Sequence, residues 1–223
     1  ASILTGLYPT EHLADWPKLD LRDDLISLPA FLESKGYVTG AFSGNSSWVT
    51  PEYLHNDFLR FQVYIWQDFI RRTTLGRLVD VLLTKIGFHY AGLGKKADQI
   101  NTEVTEFLDD YPDKPFFVYI CYMDVNQNFH NKELNHGFWE EQPPVEEVVA
   151  AYDEGLQQLD LQVSNLLDEL NSRGLIENTL IIITSDHGES FSTSYMDDHN
   201  PEGHGTSLYP EQARVPLFIT HPR

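Results

Sequence analysis

The feature that most constrains this chain is an unbroken apolar run, Leu180 to Ile183, that stops at Ser185-Asp186-His187-Gly188-Glu189. A short run dense in β-branched residues predicts a strand buried on both faces, as in a parallel sheet covered by helices. A carboxylate and an imidazole then stand side by side at the carboxyl end of that strand, where open α/β sheets bind their ligands. That pair suits a divalent cation, and Gly188 allows a tight turn around it. Asp and Gly are also ordinary turn residues, so these positions alone leave a plain turn and a metal pair both open. Downstream, Gly203-His204-Gly205 offers a second His between glycines, and Val215 to Thr220 predicts another apolar strand.

The rest of the chain alternates helical and strand patterns. Leu25 to Lys35 predicts a helix, with apolar residues at 25, 28, 31 and 32 and Gly36 as its stop. Tyr37 to Phe42 follows as a strand, and Asn45 in the next loop reads as a turn residue. Residues 46 to 94 are rich in aromatics, including Trp48, Phe58, Phe61 and Trp66, with a basic pair at Arg71-Arg72. Leu75 to Ile86 in this excursion fits one amphipathic helix, and the aromatics fit a satellite core. Lys95 to Leu108 predicts a helix through Ala97, Ile100, Val104 and Phe107. Phe116 to Tyr122 predicts a second buried strand that leads into Asp124 and Asn126. From Val145 to about Arg173 a long helix carries Tyr152, Leu156, Leu159, Val163 and Leu170 on one stripe, with Gly174 as its cap. This order defines an α/β fold with a mainly parallel central sheet flanked by helices on both faces.

A chain of 223 residues accommodates one domain or most of one. Its formal charge of -19, from 34 acidic and 15 basic residues, excludes the basic face that nucleic-acid binding requires. It does not exclude an anionic small substrate, because exposed charges beyond about 8 Å are screened at physiological salt. No apolar run is long enough for a transmembrane helix. Cys121 is the single cysteine, so no internal disulfide forms. The opening Ala1-Ser2-Ile3, without Met or a leader, reads as the start of a fragment.

Several stretches together resemble the sulfatase family, the arylsulfatase-like branch of the alkaline-phosphatase superfamily. Ser185 to Glu189 is followed by His204-Gly205-Thr206-Ser207-Leu208-Tyr209-Pro210-Glu211-Gln212-Ala213-Arg214-Val215-Pro216-Leu217, which is similar to the family's HGxxLYxExxRVPL pattern. Ala1-Ser2-Ile3-Leu4-Thr5-Gly6 resembles the stretch that follows the family's nucleophile in C-x-P-S-R or S-x-P-S-R. Pro115-Phe116-Phe117 and Asp124 match a third pattern. There Cys121 stands at the place of the usual first His, Asn126 at that of the substrate-contacting second His, and Phe129 at that of the closing Tyr, with His130 nearby.

The resemblance implies an alkaline-phosphatase-like fold that is incomplete at its N-terminus. Residues 1–223 would be a single partial catalytic domain with a variable insertion at about 46–94. The full-length protein would hydrolyse the sulfate ester of a small molecule or glycan. Its formylglycine nucleophile would lie outside these residues, leaving the fragment alone inactive. Asp186 and His187 would hold one divalent cation, calcium by family habit, with zinc or manganese as alternatives because His187 supplies imidazole. His204 would contact the sulfate or protonate the leaving oxygen, Asn126 would contact substrate, and His199 would be merely exposed. Two other readings stay open. One is phosphoryl or phosphonate hydrolysis, or phosphoethanolamine transfer, on the same fold. The other is a non-catalytic homologue, for which Asn126 is the support.

Overall fold

The computed structural model describes residues 1–14, 21–22, 24–45, 57–62, 95–126, 144–191, 203–205 and 207–221. They fall into two units, Ala1–Gln127 and Asn128–Arg223. The first opens with α1 (Ser2–Thr5), which Gly6 ends in the left-handed conformation at φ 68°. Pro9 then starts a second helix, α2 (Pro9–His12). The buried His12 locks the two together. The Ala14 N–H donates to its Nδ1 at 3.0 Å, so the ring hydrogen sits on Nε2, which lies 2.9 Å from Ser2 Oγ.

Helix α3 (Leu28–Glu33) starts later than the apolar spacing suggests, because Ser27 caps it by accepting from the Ala30 N–H. It leads into β1 (Val38–Ser43), the middle strand of a parallel sheet ordered β2-β1-β3. Strand β2 (Arg60–Gln62) places Phe61 beside Ala41, and β3 (Phe116–Cys121) places Tyr119 beside it on the other edge. Between these two strands in sequence comes α4 (Ala97–Asp110).

Every residue of β1 is buried, because helices cover both of its faces. On one face α4 turns its stripe of Ile100, Val104 and Phe107 inward, and the Phe107 ring meets Phe42 edge-on at 5.7 Å. Gly40 is small for the same reason, since a Cβ there would come within 3.3 Å of the Phe107 ring. Alternation along the strand sends Ala41 to the opposite face, where it packs with Leu4 of α1, Leu21, Phe58, Phe117 and Tyr119. The excursion after residue 45 thus contributes Phe58 to the main core rather than to a satellite one. The side-chain hydroxyls on β1 are satisfied by backbone groups. Thr39 Oγ1 accepts from Leu59 N–H, and Ser43 Oγ accepts from Asn45 N–H.

The first described element of the second unit is α5 (Val145–Ser172), which has Glu146 and Glu147 in its first turn, where the helix dipole favours acids. Its buried positions include Val148, Ala151 and Gly155, whereas Leu156 of the expected stripe is exposed. Gly174, at φ 71°, closes the helix in a Schellman arrangement, with Leu175 N–H donating to Leu170 O. A 3₁₀ turn, Ile176–Asn178, then feeds β4 (Ile181–Thr184). The short α6 (Pro210–Ala213) precedes β5 (Leu217–Thr220), which pairs antiparallel with β4 through Ile182↔Ile219 and Thr184↔Leu217.

The burial of β4 departs from expectation. Leu180, Ile182 and Ile183 are exposed, as are Leu217, Phe218 and Ile219 of β5. An apolar run reports what a strand is able to bury, while burial itself depends on what packs over it. Among the described residues no helix is long and apolar enough to cross a membrane. The Leu75–Ile86 helix, Phe129, His130 and His199 lie outside the described residues.

Candidate active site

Strand β4 delivers its last residues into a turn whose shape is fixed by hydrogen bonds. Thr184 Oγ1 donates to Pro216 O at 2.9 Å, holding the strand end against the start of β5. Ser185 Oγ donates to His187 O at 2.7 Å, and His187 N–H donates to Asp186 Oδ1 at 3.0 Å. Gly188 N–H then donates to Gln212 O on α6 at 2.8 Å. A Cβ on Gly188 would stand 2.1 Å from Glu211 O, so no other residue fits there. The buried Gln212 completes the seat by accepting from Ser207 N–H with its side-chain oxygen.

This turn settles the orientation of His187. Its Nδ1 lies 2.8 Å from Gly188 O, and a carbonyl only accepts, so Nδ1 carries the hydrogen and Nε2 keeps its lone pair. That nitrogen lies 3.7 Å from Asp186 Oδ2. Two acceptors this close, with no hydrogen bond between them, are a pair that a cation can bridge.

His204 arrives from the second glycine-flanked stretch. Ser190 and Gly203 form an isolated antiparallel bridge, with Ser190 N–H donating to Gly203 O at 3.1 Å and Gly203 N–H to Ser190 O at 2.9 Å. Gly203 at φ 89° and Gly205 at φ 76° occupy left-handed backbone that other residues adopt only at a cost. The flanking glycines therefore serve a defined loop shape. The bridge sets the His204 ring over that of His187, with centroids 3.8 Å apart and planes at 20°. His204 Nδ1 lies 2.8 Å from Glu189 Oε2. The Glu189 side chain is only 11% exposed, and its other oxygen, Oε1, is buried with no hydrogen-bond partner among the described residues.

His187, Glu189 and His204 each offer a ligand atom within 4.8 Å of the others, a His/Glu/His cluster that marks a candidate divalent-cation site. An unpartnered buried carboxylate oxygen beside imidazole nitrogens is a donor set such an ion fits. Tyr152 of α5 senses the same charges. Burial first, and then Glu189, Asp153 and Asp186, push its phenol above the usual range. Its ring meets Phe191 edge-on at 5.1 Å.

Of the residues singled out in the sequence, the second unit brings Asp186, His187 and His204 together. Asn126 belongs to the first unit, half-buried in a helical turn just after β3. Asp124, two positions before it, serves the fold, since its Oδ1 accepts the Ala97 N–H at the start of α4 at 3.1 Å. Its Oδ2 is buried without a partner among the described residues, and that burial raises its pKa despite the hydrogen bond. Sequence reasoning missed Glu189 and Tyr152. Glu189 was signalled by its place next to the Asp-His-Gly turn, whereas Tyr152 was masked by its place on an apolar helix stripe.

The sheet, its flanking helices and the candidate cation site define an α/β protein of alkaline-phosphatase-like architecture. Within that class the chain belongs to the sulfatase family, whose model, described as Sulfatase, matches residues 1–223. The chain is 25% identical to human N-sulphoglucosamine sulphohydrolase over 259 aligned positions, covering 100% of this chain and 45% of that protein. To rat (Rattus norvegicus) steryl-sulfatase it is 28% identical over 133 residues, 58% of this chain and 20% of the relative. In structure it is similar to the phosphonate monoester hydrolase SpPMH from Silicibacter pomeroyi, with a TM-score of 0.64 and 17% identity, covering 100% of this chain and 57% of that one. The chain thus spans less than half the length of these curated relatives.

Proposed function

We propose that the full-length protein hydrolyses the sulfate ester of a small molecule or glycan. Asp186 and His187 hold a divalent cation in this reading, and His204 serves the leaving oxygen. The observation that carries it is the close acceptor pair, Asp186 Oδ2 and His187 Nε2 at 3.7 Å, in a chain matched throughout by the sulfatase family. A bound divalent cation there would neutralise charge on the ester oxygens and lower the pKa of the attacking group. The 223 residues contain no C-x-P-S-R or S-x-P-S-R pattern, and this reading requires a formylglycine-type nucleophile in addition to the residues described. His204 presents its Nε2 edge, because Nδ1 is held by Glu189. As the imidazolium it would give its Nε2 proton to the departing alcohol, leaving the neutral Nδ1–H form that Glu189 holds. Asn126 offers an amide to an ester oxygen, a contact that orients without transferring a proton.

The donors bear on which cation this reading requires. Calcium is the family expectation and takes six or more oxygen ligands, whereas the imidazole of His187 favours zinc or manganese. That imidazole also supports a second reading, phosphonate or phosphoryl chemistry on the same fold. Turnover of 4-nitrophenyl sulfate and of 4-nitrophenyl phenylphosphonate by the full-length protein, with metal content measured, separates the two. We expect the larger kcat/KM on the sulfate. A larger value on the phosphonate selects the second reading, and no turnover of either with metal bound makes the protein a non-catalytic homologue.

A further inference from the structure

We propose that Glu189 is the positioning residue for His204: one of its carboxylate oxygens fixes which imidazole nitrogen carries the hydrogen, and it does so without ligating the cation. This rests on the reading of the site just given. A carboxylate oxygen offers no hydrogen, so the 2.8 Å contact places the hydrogen on His204 Nδ1 and leaves Nε2 as the exposed edge. The contact does not depend on the ring alone. The Ser190–Gly203 bridge holds the backbone next to both residues, so carboxylate and imidazole face each other on a fixed frame.

One further observation separates this role from that of a shared ligand. The His187 and His204 rings are stacked at 3.8 Å and 20°. Nitrogen lone pairs lie in the ring plane, so those of stacked rings run side by side and do not converge on one ion, although the three ligand atoms lie within 4.8 Å of one another. His187, whose Nε2 lies 3.7 Å from Asp186 Oδ2, is then the imidazole for the cation, and Glu189 Oε2 is taken up by His204. Glu189 Oε1, buried without a partner among the described residues, is the one oxygen a cation could still recruit, so metal content distinguishes the two roles.

The test uses Glu189→Leu, which keeps the bulk but removes the acceptor, and Glu189→Gln, whose amide oxygen can still accept. The His204 tautomer is read by ¹⁵N NMR on metal-free protein with the rings neutral, the signal being assigned with His204→Gln. Metal content is measured in parallel after loading with zinc or manganese, alongside Asp186→Ala and His187→Ala. Wild type and Glu189→Gln should show Nδ1–H, and Glu189→Leu should move toward Nε2–H with metal content unchanged. In the full-length protein Glu189→Leu should slow hydrolysis of a poor-leaving-group ester by about 10–100-fold, the usual effect of losing a carboxylate that orients a functional His. An unchanged tautomer in Glu189→Leu overturns the inference. So does loss of metal from both Glu189 variants, which would make Glu189 a ligand. If Asp186→Ala and His187→Ala keep their metal, the functional reading fails, while the metal-free tautomer measurement still decides the role of Glu189.

Discussion

Asp124 Oδ1 accepts the backbone N–H of Ala97 at 3.1 Å, so the end of β3 caps the start of α4 with a carboxylate whose other oxygen is buried and, among the described residues, unpartnered. Burial raises its pKa above 3.8. The folded protein therefore binds this proton more tightly than the unfolded chain does. The stability it contributes is fully present below pH 3.8 and is lost as pH rises through the folded-state value. Asp124→Asn, which keeps an acceptor for Ala97, should flatten this part of the stability–pH profile. Asp124→Ala should cost about 1 kcal/mol at neutral pH through the lost cap. Urea unfolding of the three proteins at several pH values checks both outcomes, and a profile unchanged in Asp124→Asn would count against the raised pKa.

Phe107 joins the helix layer to the sheet through its edge-on contact with Phe42. Its full burial predicts that Phe107→Ala destabilises the first unit by about 3–5 kcal/mol. Thermal unfolding followed by near-ultraviolet circular dichroism would show a lowered midpoint. A change under about 1 kcal/mol would mean that the layer relaxes to fill the cavity.

Gly188 has almost no room for a side chain, with Glu211 O only 2.1 Å from where a Cβ would sit. Gly188→Ala should lift the Asp186–His187 turn off α6 and break the Gly188–Gln212 hydrogen bond. Metal binding should then fall with both metal-site side chains intact. Gly205→Ala is a useful contrast, since nothing lies within 4 Å of its added carbon and only the positive φ opposes it. Calorimetric titration with zinc should show a clear loss for Gly188→Ala and a small one for Gly205→Ala.

His204 and Asp186 should fail in different ways in the full-length protein. If His204 protonates the leaving oxygen, His204→Ala slows turnover by about 10²–10⁴-fold on a poor leaving group. The loss shrinks on nitrophenyl sulfate, whose leaving group needs little protonation, and metal stays bound. Asp186→Ala loses metal and activity together whatever the leaving group. Equal losses on both substrates with metal retained would reduce His204 to a sulfate contact.

Much of this was legible in the residues because the relevant physics is local. The spacing of Ala97, Ile100, Val104 and Phe107 gives α4, the β-branched run gives β4, and the Asp186-His187 pair follows from where that run stops. What escaped depends on partners distant in sequence. Strand β1, with Thr39 and Ser43 in it, looks less like a core strand than Ile181–Ile183, yet it is buried throughout while Ile182 and Ile183 are exposed. Hydroxyls satisfied by Leu59 and Asn45 make that burial tolerable, and composition does not reveal those partners. The antiparallel register of β4 with β5 was equally hidden, since apolar runs carry no direction. Glu189 stands inside the motif, but its contact with His204 appears only once the Ser190–Gly203 bridge has formed.

The Ser190–Gly203 bridge makes the carboxylate–imidazole pair a backbone property as much as a side-chain one. Two reciprocal hydrogen bonds, at 3.1 and 2.9 Å, fix the chain beside Glu189 and beside His204. A substitution at Gly203, whose φ of 89° suits glycine, would therefore disturb the pair without touching either of its side chains.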